Sequence, residues 1–279
     1  MTYTVALAQV NPACGDLEYN VKLHVAQAEQ AYEAGAALIV FPELSLTGYS
    51  LKDQTLDIMR SADCPEFEAL RKLSRHIAIC AGFVEEGADG IPYNSAFFMD
   101  AGEVRHVHRK MYLPTHGMFE ELRFLGRGRQ LSVFDTRFGR TGIVICRDLF
   151  HPLEVSTMAS LGVELLLAPS AMPARGFAGD ELAIEHTVSL ALGSASTFLG
   201  MFVVYVNRVG FDDGLGFYGG SALSDPVGGI TVSAPRFEAV QLLGTVDTSH
   251  VARHRYQLPI LREEDTDIVR HALDTRRDS

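Results

Sequence analysis

Thr141–Pro152 reads TGIVICRDLFHP. An apolar run ends in Cys146, the polar residues Arg147 and Asp148 make a turn, and Pro152 stands where a helix can open at its first position. The segment therefore reads as strand, elbow, helix. Similar apolar runs recur on either side: TVALAQV at 4–10, ALIVFPEL at 37–44, IAICAGFV at 77–84, SAFFMD at 95–100, VELLLAPS at 163–170 and FVVYVN at 202–207. Several are continuously apolar, the pattern of strands covered on both faces. Between them Val21, Val25, Ala28 and Tyr32 repeat at helical spacing and stop at Gly35, a residue suited to the position after a helix. Further helices are expected over 67–77, 152–161, 181–200 and 264–275. Strands alternating with helices make the fold class α/β.

The chain has 279 residues, 47% hydrophobic and 21% charged, ordinary usage for a packed protein. No linker, repeat or low-complexity tract divides it, so one compact domain over 1–279 is expected. A formal net charge of −11 disfavours nucleic acid and anionic lipid as partners. The N-terminus lacks a basic leader and meets Asn11 and Pro12 early, and no apolar run is long enough to span a bilayer. A soluble, cytoplasmic protein is expected. The four cysteines, Cys14, Cys64, Cys80 and Cys146, are scattered without a C-x-x-C pair, which argues against a disulfide scaffold and a zinc site.

Three residues carry candidate chemistry. Cys146 sits at the strand-to-helix elbow, where backbone N–H groups and a helix N-terminus are expected to favour the thiolate. Glu43 ends the run ALIVFPEL beside Phe41 and Pro42, a dry setting of the kind that suits a general base. Lys110 closes EVRHVHRK before MYLP, where its charge can meet a developing oxyanion. Singly, each has a structural reading: a core cysteine, a glutamate paired with an arginine, a snorkelling lysine. Together, a carboxylate, an ammonium and a thiol at strand ends are the parts for nucleophilic attack on an amide-like carbon. His106 and His108 form an H-x-H pair with no third ligand signalled, so no metal is expected. The glycines of GLGFYGGS at 214–221 lack the context of a phosphate loop, and no cofactor is expected.

FPELSLTGYS around Glu43, HRKMYLPTHGMFEE around Lys110 and VICRDLFHP around Cys146 resemble the three signature segments of the nitrilase superfamily, the carbon–nitrogen hydrolases. YNSAFFMDAGEV, YVNRVG, GGSALSDPVG and RYQLPILRE resemble its other blocks in order. The resemblance implies a four-layer αββα sandwich, a homodimer or larger homo-oligomer, and a tail from about residue 250 that reaches a subunit contact. It makes Glu43 the general base, Lys110 the transition-state stabiliser and Cys146 the nucleophile of a thioacyl enzyme. The glutaminase-like segment K-x-x-L-P-x-x-x-x-F-x-E places an auxiliary glutamate at Glu121, with Glu120 adjacent as the alternative. Arg147 stands where Glu, Trp or Tyr is common, and His116 where an aromatic residue is frequent. The Arg147 backbone N–H can still serve an oxyanion hole, because that role uses no side chain.

The expected reaction is hydrolysis of a small linear amide, with an N-carbamoyl amino acid hydrolase or a nitrilase as alternatives. No second domain follows within these residues, so any glutaminase-type activity is expected to be free-standing. A binding protein on the same scaffold is the rival from another class, and such proteins usually lose a catalytic residue. For substrate binding, His116 and Arg175 are the candidates. Arg175 lies in the loop AMPARGFAGD, where a guanidinium fork can read a substrate carboxylate or pair with Asp180 or Glu181.

Overall fold

The structure, a computed structural model, describes residues 1–179 and 181–277. Two six-stranded sheets dominate the described residues. The first runs in the order Val240–Asp247, Thr2–Gln9, Leu38–Val40, Ala78–Glu86, Pro92–Asp100, Glu103–Arg109. The second runs Gly229–Ser233, Ala222–Asp225, Phe202–Asn207, Leu165–Ser170, Gly139–Ile143, Ser132–Thr136. In each sheet the three strands that pair in parallel lie centrally, flanked by antiparallel ones.

Continuous apolar runs have a simple cause here. In Thr2–Gln9, Val5 and Leu7 point into a core shared by both sheets, while Ala6 and Ala8 point into a second core under the helices. A pleated strand with period two must then be apolar at every position. The shared core holds Val40, Cys80 and Phe98 from the first sheet against Ile145, Leu167 and Val204 from the second side. Outside the first sheet, Leu17–Glu33 and Glu68–Leu73 bury Ala28, Ala31 and Leu70. Outside the second, Pro152–Ser160 and Ala183–Gly193 bury Met158 and Leu192. Helix, sheet, sheet, helix is the four-layer sandwich that the family resemblance implies.

Asp16 caps the first helix by accepting the Tyr19 N–H at 3.0 Å, and Gly35 follows its end at φ 84°. The run 181–200 divides into the helix Ala183–Gly193 and a wider turn over Ser194–Phe198. The strand expected over 37–44 ends at Val40, and that over 141–146 ends at Ile143, which frees Glu43 and Cys146 from the ladders. Ser132–Thr136, Ala222–Asp225, Gly229–Ser233, Val240–Asp247 and the helix Ser249–Gln257 were not anticipated. No described helix is long and apolar enough to cross a membrane.

Candidate active site

Four strand ends converge between the sheets. Cys146 follows Gly139–Ile143 and opens a 3-10 turn, Cys146–Phe150, ahead of the helix at Pro152. Its φ of 49° is left-handed, a conformation that non-glycine residues hold only when their surroundings impose it. Asp148 is part of that imposition. Its carboxylate accepts the N–H groups of Ile145 at 3.1 Å, Met111 at 3.2 Å and Tyr112 at 2.8 Å, so it ties the residue before the thiol to the residues after Lys110.

The Glu43 segment is held just as closely. Leu44 also sits at φ 49°, and the Leu46 N–H donates to the Gly82 carbonyl at 2.9 Å. A Cβ at Gly82 would lie 2.3 Å from the Leu44 nitrogen, so only glycine lets the strand Ala78–Glu86 pass beneath this turn. From the outer helix, the Asn20 amide donates to Leu46 O, and His24 Nε2 meets Ser45 Oγ at 2.8 Å. His24 Nδ1 faces the Asn20 carbonyl, which can only accept. That ring is therefore neutral with its proton on Nδ1, and burial lowers its pKa to about 4.

Glu43, 1% exposed, receives three hydrogen bonds: Asn94 Nδ2 at 2.8 Å and Lys110 Nζ at 2.6 Å on Oε1, and the Ala171 N–H at 2.8 Å on Oε2. A carboxylate offers about four lone-pair positions. One on Oε2 is left to take a proton. The loop that brings Ala171 is fixed by Asn207, which accepts the Met172 N–H and donates to the carbonyls of Met172 and Gly219.

Lys110 Nζ also donates to Glu121 Oε1 at 2.8 Å. With two of its three N–H groups committed to carboxylates, the third is available to an oxyanion. Tyr49 Oη donates to the same Glu121 oxygen at 2.5 Å, whereas Glu121 Oε2 is buried and has no partner among the described residues. Tyr49 is itself placed by Asp212, which accepts its N–H and pairs with buried Arg208. Of the two glutamates considered from sequence, Glu121 joins the site. Glu120 is exposed and pairs with Arg123.

The charges follow from burial and these partners. Burial opposes the Lys110 ammonium, but the carboxylates of Glu121 and Glu43 outweigh it and hold the pKa above the ordinary lysine value. Burial pushes the Glu121 carboxyl up to about 7, with Lys110 pulling the other way. The Cys146 thiol is raised well above its usual range, by burial first and the Glu43 charge second, against the pull of Lys110 and the Ala171 N–H. This runs against the expectation of a thiolate favoured by the helix N-terminus, because desolvation and the Glu43 charge both disfavour the thiolate.

Cys146 and Glu121 open onto a cavity whose lining includes Arg147, His116 and Arg175. His116 is exposed and packs edge-on against Phe119, and the Arg175 guanidinium lies 4.4 Å from the Phe119 ring centre. The pairing of Arg175 with Asp180 or Glu181 falls outside what the structure describes.

A buried thiol, lysine and carboxylate at strand ends of a four-layer sandwich define a candidate hydrolytic centre of the nitrilase superfamily. The chain belongs to the carbon–nitrogen hydrolase family, whose profile matches residues 4–256. It is 33% identical over 238 residues to the glutamine-dependent NAD(+) synthetase of Acinetobacter baylyi, covering 85% of this chain and 43% of that protein. The corresponding enzyme of Thermotoga maritima is 32% identical over 84% of this chain and 40% of its own length. The chain thus spans less than half the length of these curated relatives. Among solved structures, the glutamine-dependent NAD+ synthetase of Acinetobacter baumannii superposes with a TM-score of 0.79 at 32% identity, over 90% of this chain and 47% of that one. An amidase from Nesterenkonia sp. AN1 superposes at 0.80 over 96% of both chains; at 24% identity it shows the shared fold.

Asp148, Asn94, Tyr49, Asn207 and Ala171 were not singled out from sequence as site residues. Their positions offered some signal, since Asp148 follows the elbow, Tyr49 lies in FPELSLTGYS, and Asn207 ends an apolar strand.

Proposed function

We propose that this chain hydrolyses the carboxamide of a small, carboxylate-bearing linear amide, glutamine being the leading candidate, through a thioacyl intermediate on Cys146. The observation that carries the reading is Lys110 pinned between Glu43 and Glu121, with Cys146 and Arg175 facing the same cavity. The glutamine dependence of the relatives supports the choice of amide.

In the first half-reaction the free Oε2 position of Glu43 takes the thiol proton as sulfur bonds to the amide carbon. The carbonyl oxygen becomes an oxyanion held by the third N–H of Lys110 and the Arg147 backbone N–H. Collapse breaks the C–N bond, and the nitrogen leaves as ammonia with the proton from Glu43. In the second, water gives a proton to Glu43 and its oxygen bonds to the thioester carbon; the acid departs and the thiol regains its proton. Glu121 Oε2, buried and without a partner among the described residues, can receive the leaving nitrogen or the incoming water. Arg175 reads the substrate carboxylate.

We also propose a homo-oligomer. Leu153, Leu190 and Phe198, on the outer helical layer of the second sheet, are 60%, 61% and 57% exposed, an arrangement suited to burial against a second copy.

The deciding experiment measures ammonia release from glutamine, from N-carbamoyl amino acids, from neutral amides and from nitriles, with hydroxylamine added to trap the acyl enzyme as a hydroxamate. Glutamine-dependent ammonia and hydroxamate, both absent in Cys146→Ala, are expected. Turnover of nitriles alone, or ammonia release that survives Cys146→Ala, overturns the reading.

A further inference from the structure

Behind the elbow, His108, Asp148 and Glu154 each bring a ligand atom to within 4.8 Å of the others, and all three are buried. None of them lines the cavity around Cys146. Both carboxylate oxygens of Glu154, 3% exposed, are buried without a hydrogen-bond partner among the described residues. A carboxyl group in that state is costly unless something positive or donating meets it.

His108 completes the set. Its Nδ1 lies 2.7 Å from Ser132 Oγ, while Nε2 faces Asp148 Oδ2 at 3.4 Å, too far for a strong hydrogen bond. Ser132 Oγ also meets His106 Nε2 at 2.7 Å. When His108 donates from Nδ1 to Ser132, and Ser132 donates on to His106, the Nε2 lone pair points at two carboxyl groups. An imidazole anchored through one nitrogen and facing carboxylates with the other is how metal-bound histidines are oriented. The H-x-H pair lacked further ligands in the sequence, and the fold supplies them to His108 from the elbow and the following helix.

We propose that His108 Nε2, Asp148 and Glu154 bind one divalent transition-metal cation, with zinc, manganese or iron(II) the class suited to one imidazole and two carboxylates. Ligand atoms about 2.0–2.2 Å from such an ion stand roughly 3–4 Å apart, so a small inward shift closes the site. The ion meets the buried Glu154 carboxylate. It joins the strand Glu103–Arg109 to the elbow and to the helix Pro152–Ser160, and its role is structural.

The test uses the whole chain, expressed with zinc in the medium, desalted and assayed by elemental mass spectrometry. About one zinc per chain is expected, retained in Cys14→Ser and Cys146→Ser and bound at least about tenfold more weakly by Glu154→Gln. A second measurement does not depend on that variant folding: wild-type protein loaded with cobalt(II) should show a visible ligand-field band that zinc displaces. Wild-type protein that takes up neither zinc nor cobalt overturns the site, as does Glu154→Gln holding zinc with undiminished affinity.

Discussion

Lys110 Nζ stands 2.6 Å from Glu43 Oε1, so the lysine and Asn94 occupy one oxygen of the carboxylate and leave the other to work. Glu43→Gln keeps the shape and removes the proton acceptor. Turnover should fall on the order of 10²-fold or more, and iodoacetamide should label Cys146 more slowly than in wild type. A loss under about tenfold in turnover would move the base elsewhere.

Asp148 joins two segments that are distant in sequence. Asparagine at this position can accept with only one oxygen, leaving a buried N–H from Ile145, Met111 or Tyr112 unmet. Asp148→Asn should lower stability by about 1–3 kcal/mol and reduce kcat more than it raises KM, because the elbow and Lys110 lose their common register. Urea unfolding and steady-state kinetics check both parts, and an unchanged kcat would show that the elbow holds itself.

Glu121 makes stability depend on pH in a definite direction. Its folded pKa of about 7 lies above the ordinary carboxyl value, so between the two the native state binds more protons than the unfolded chain. The contribution is therefore full at acidic pH and is lost as pH rises through about 7. Relative to Glu121→Gln, wild type should lose on the order of 1–3 kcal/mol between pH 5 and pH 8. Urea midpoints at the two pH values measure it; no change in the gap would mean that Lys110 keeps Glu121 ionised throughout.

Arg175→Ala should raise KM for carboxylate-bearing amides by roughly 5- to 150-fold and leave neutral amides nearly unaffected. Equal effects on both would return Arg175 to a role on the surface.

Light scattering at micromolar concentration should give a mass of at least twice 30.5 kDa. Replacing Leu190 and Phe198 together with Glu should dissociate the assembly. A wild-type monomer would dispose of the proposal.

Much of the site is readable because Glu43 and Cys146 each follow a continuously apolar run, and a run reports its own burial, whereas Lys110 closes the mixed segment EVRHVHRK and is placed by its position before MYLP. Asp148, Asn94 and Ala171 were not readable, because what they contribute is hydrogen bonding across strand ends far apart in the chain. The same holds for the Cys146 thiol: a helix terminus is visible in the sequence, but the desolvation and the Glu43 charge that oppose the thiolate arise only when the layers close. Among the strands, Val240–Asp247 and Ser132–Thr136 escaped notice as sheet-edge elements, each partly exposed and mixed in polarity.

The two oxygens of Glu43 answer to different halves of the molecule: Asn94 and Lys110 come from the first sheet, and the Ala171 N–H follows a strand of the second. Under the proposed mechanism the base is thus assembled only when both halves are docked, and catalysis would act as a coincidence detector for closure of the sandwich. A partly opened or newly synthesised chain carries its cysteine unarmed, and on heating, activity should vanish before the helical signal does.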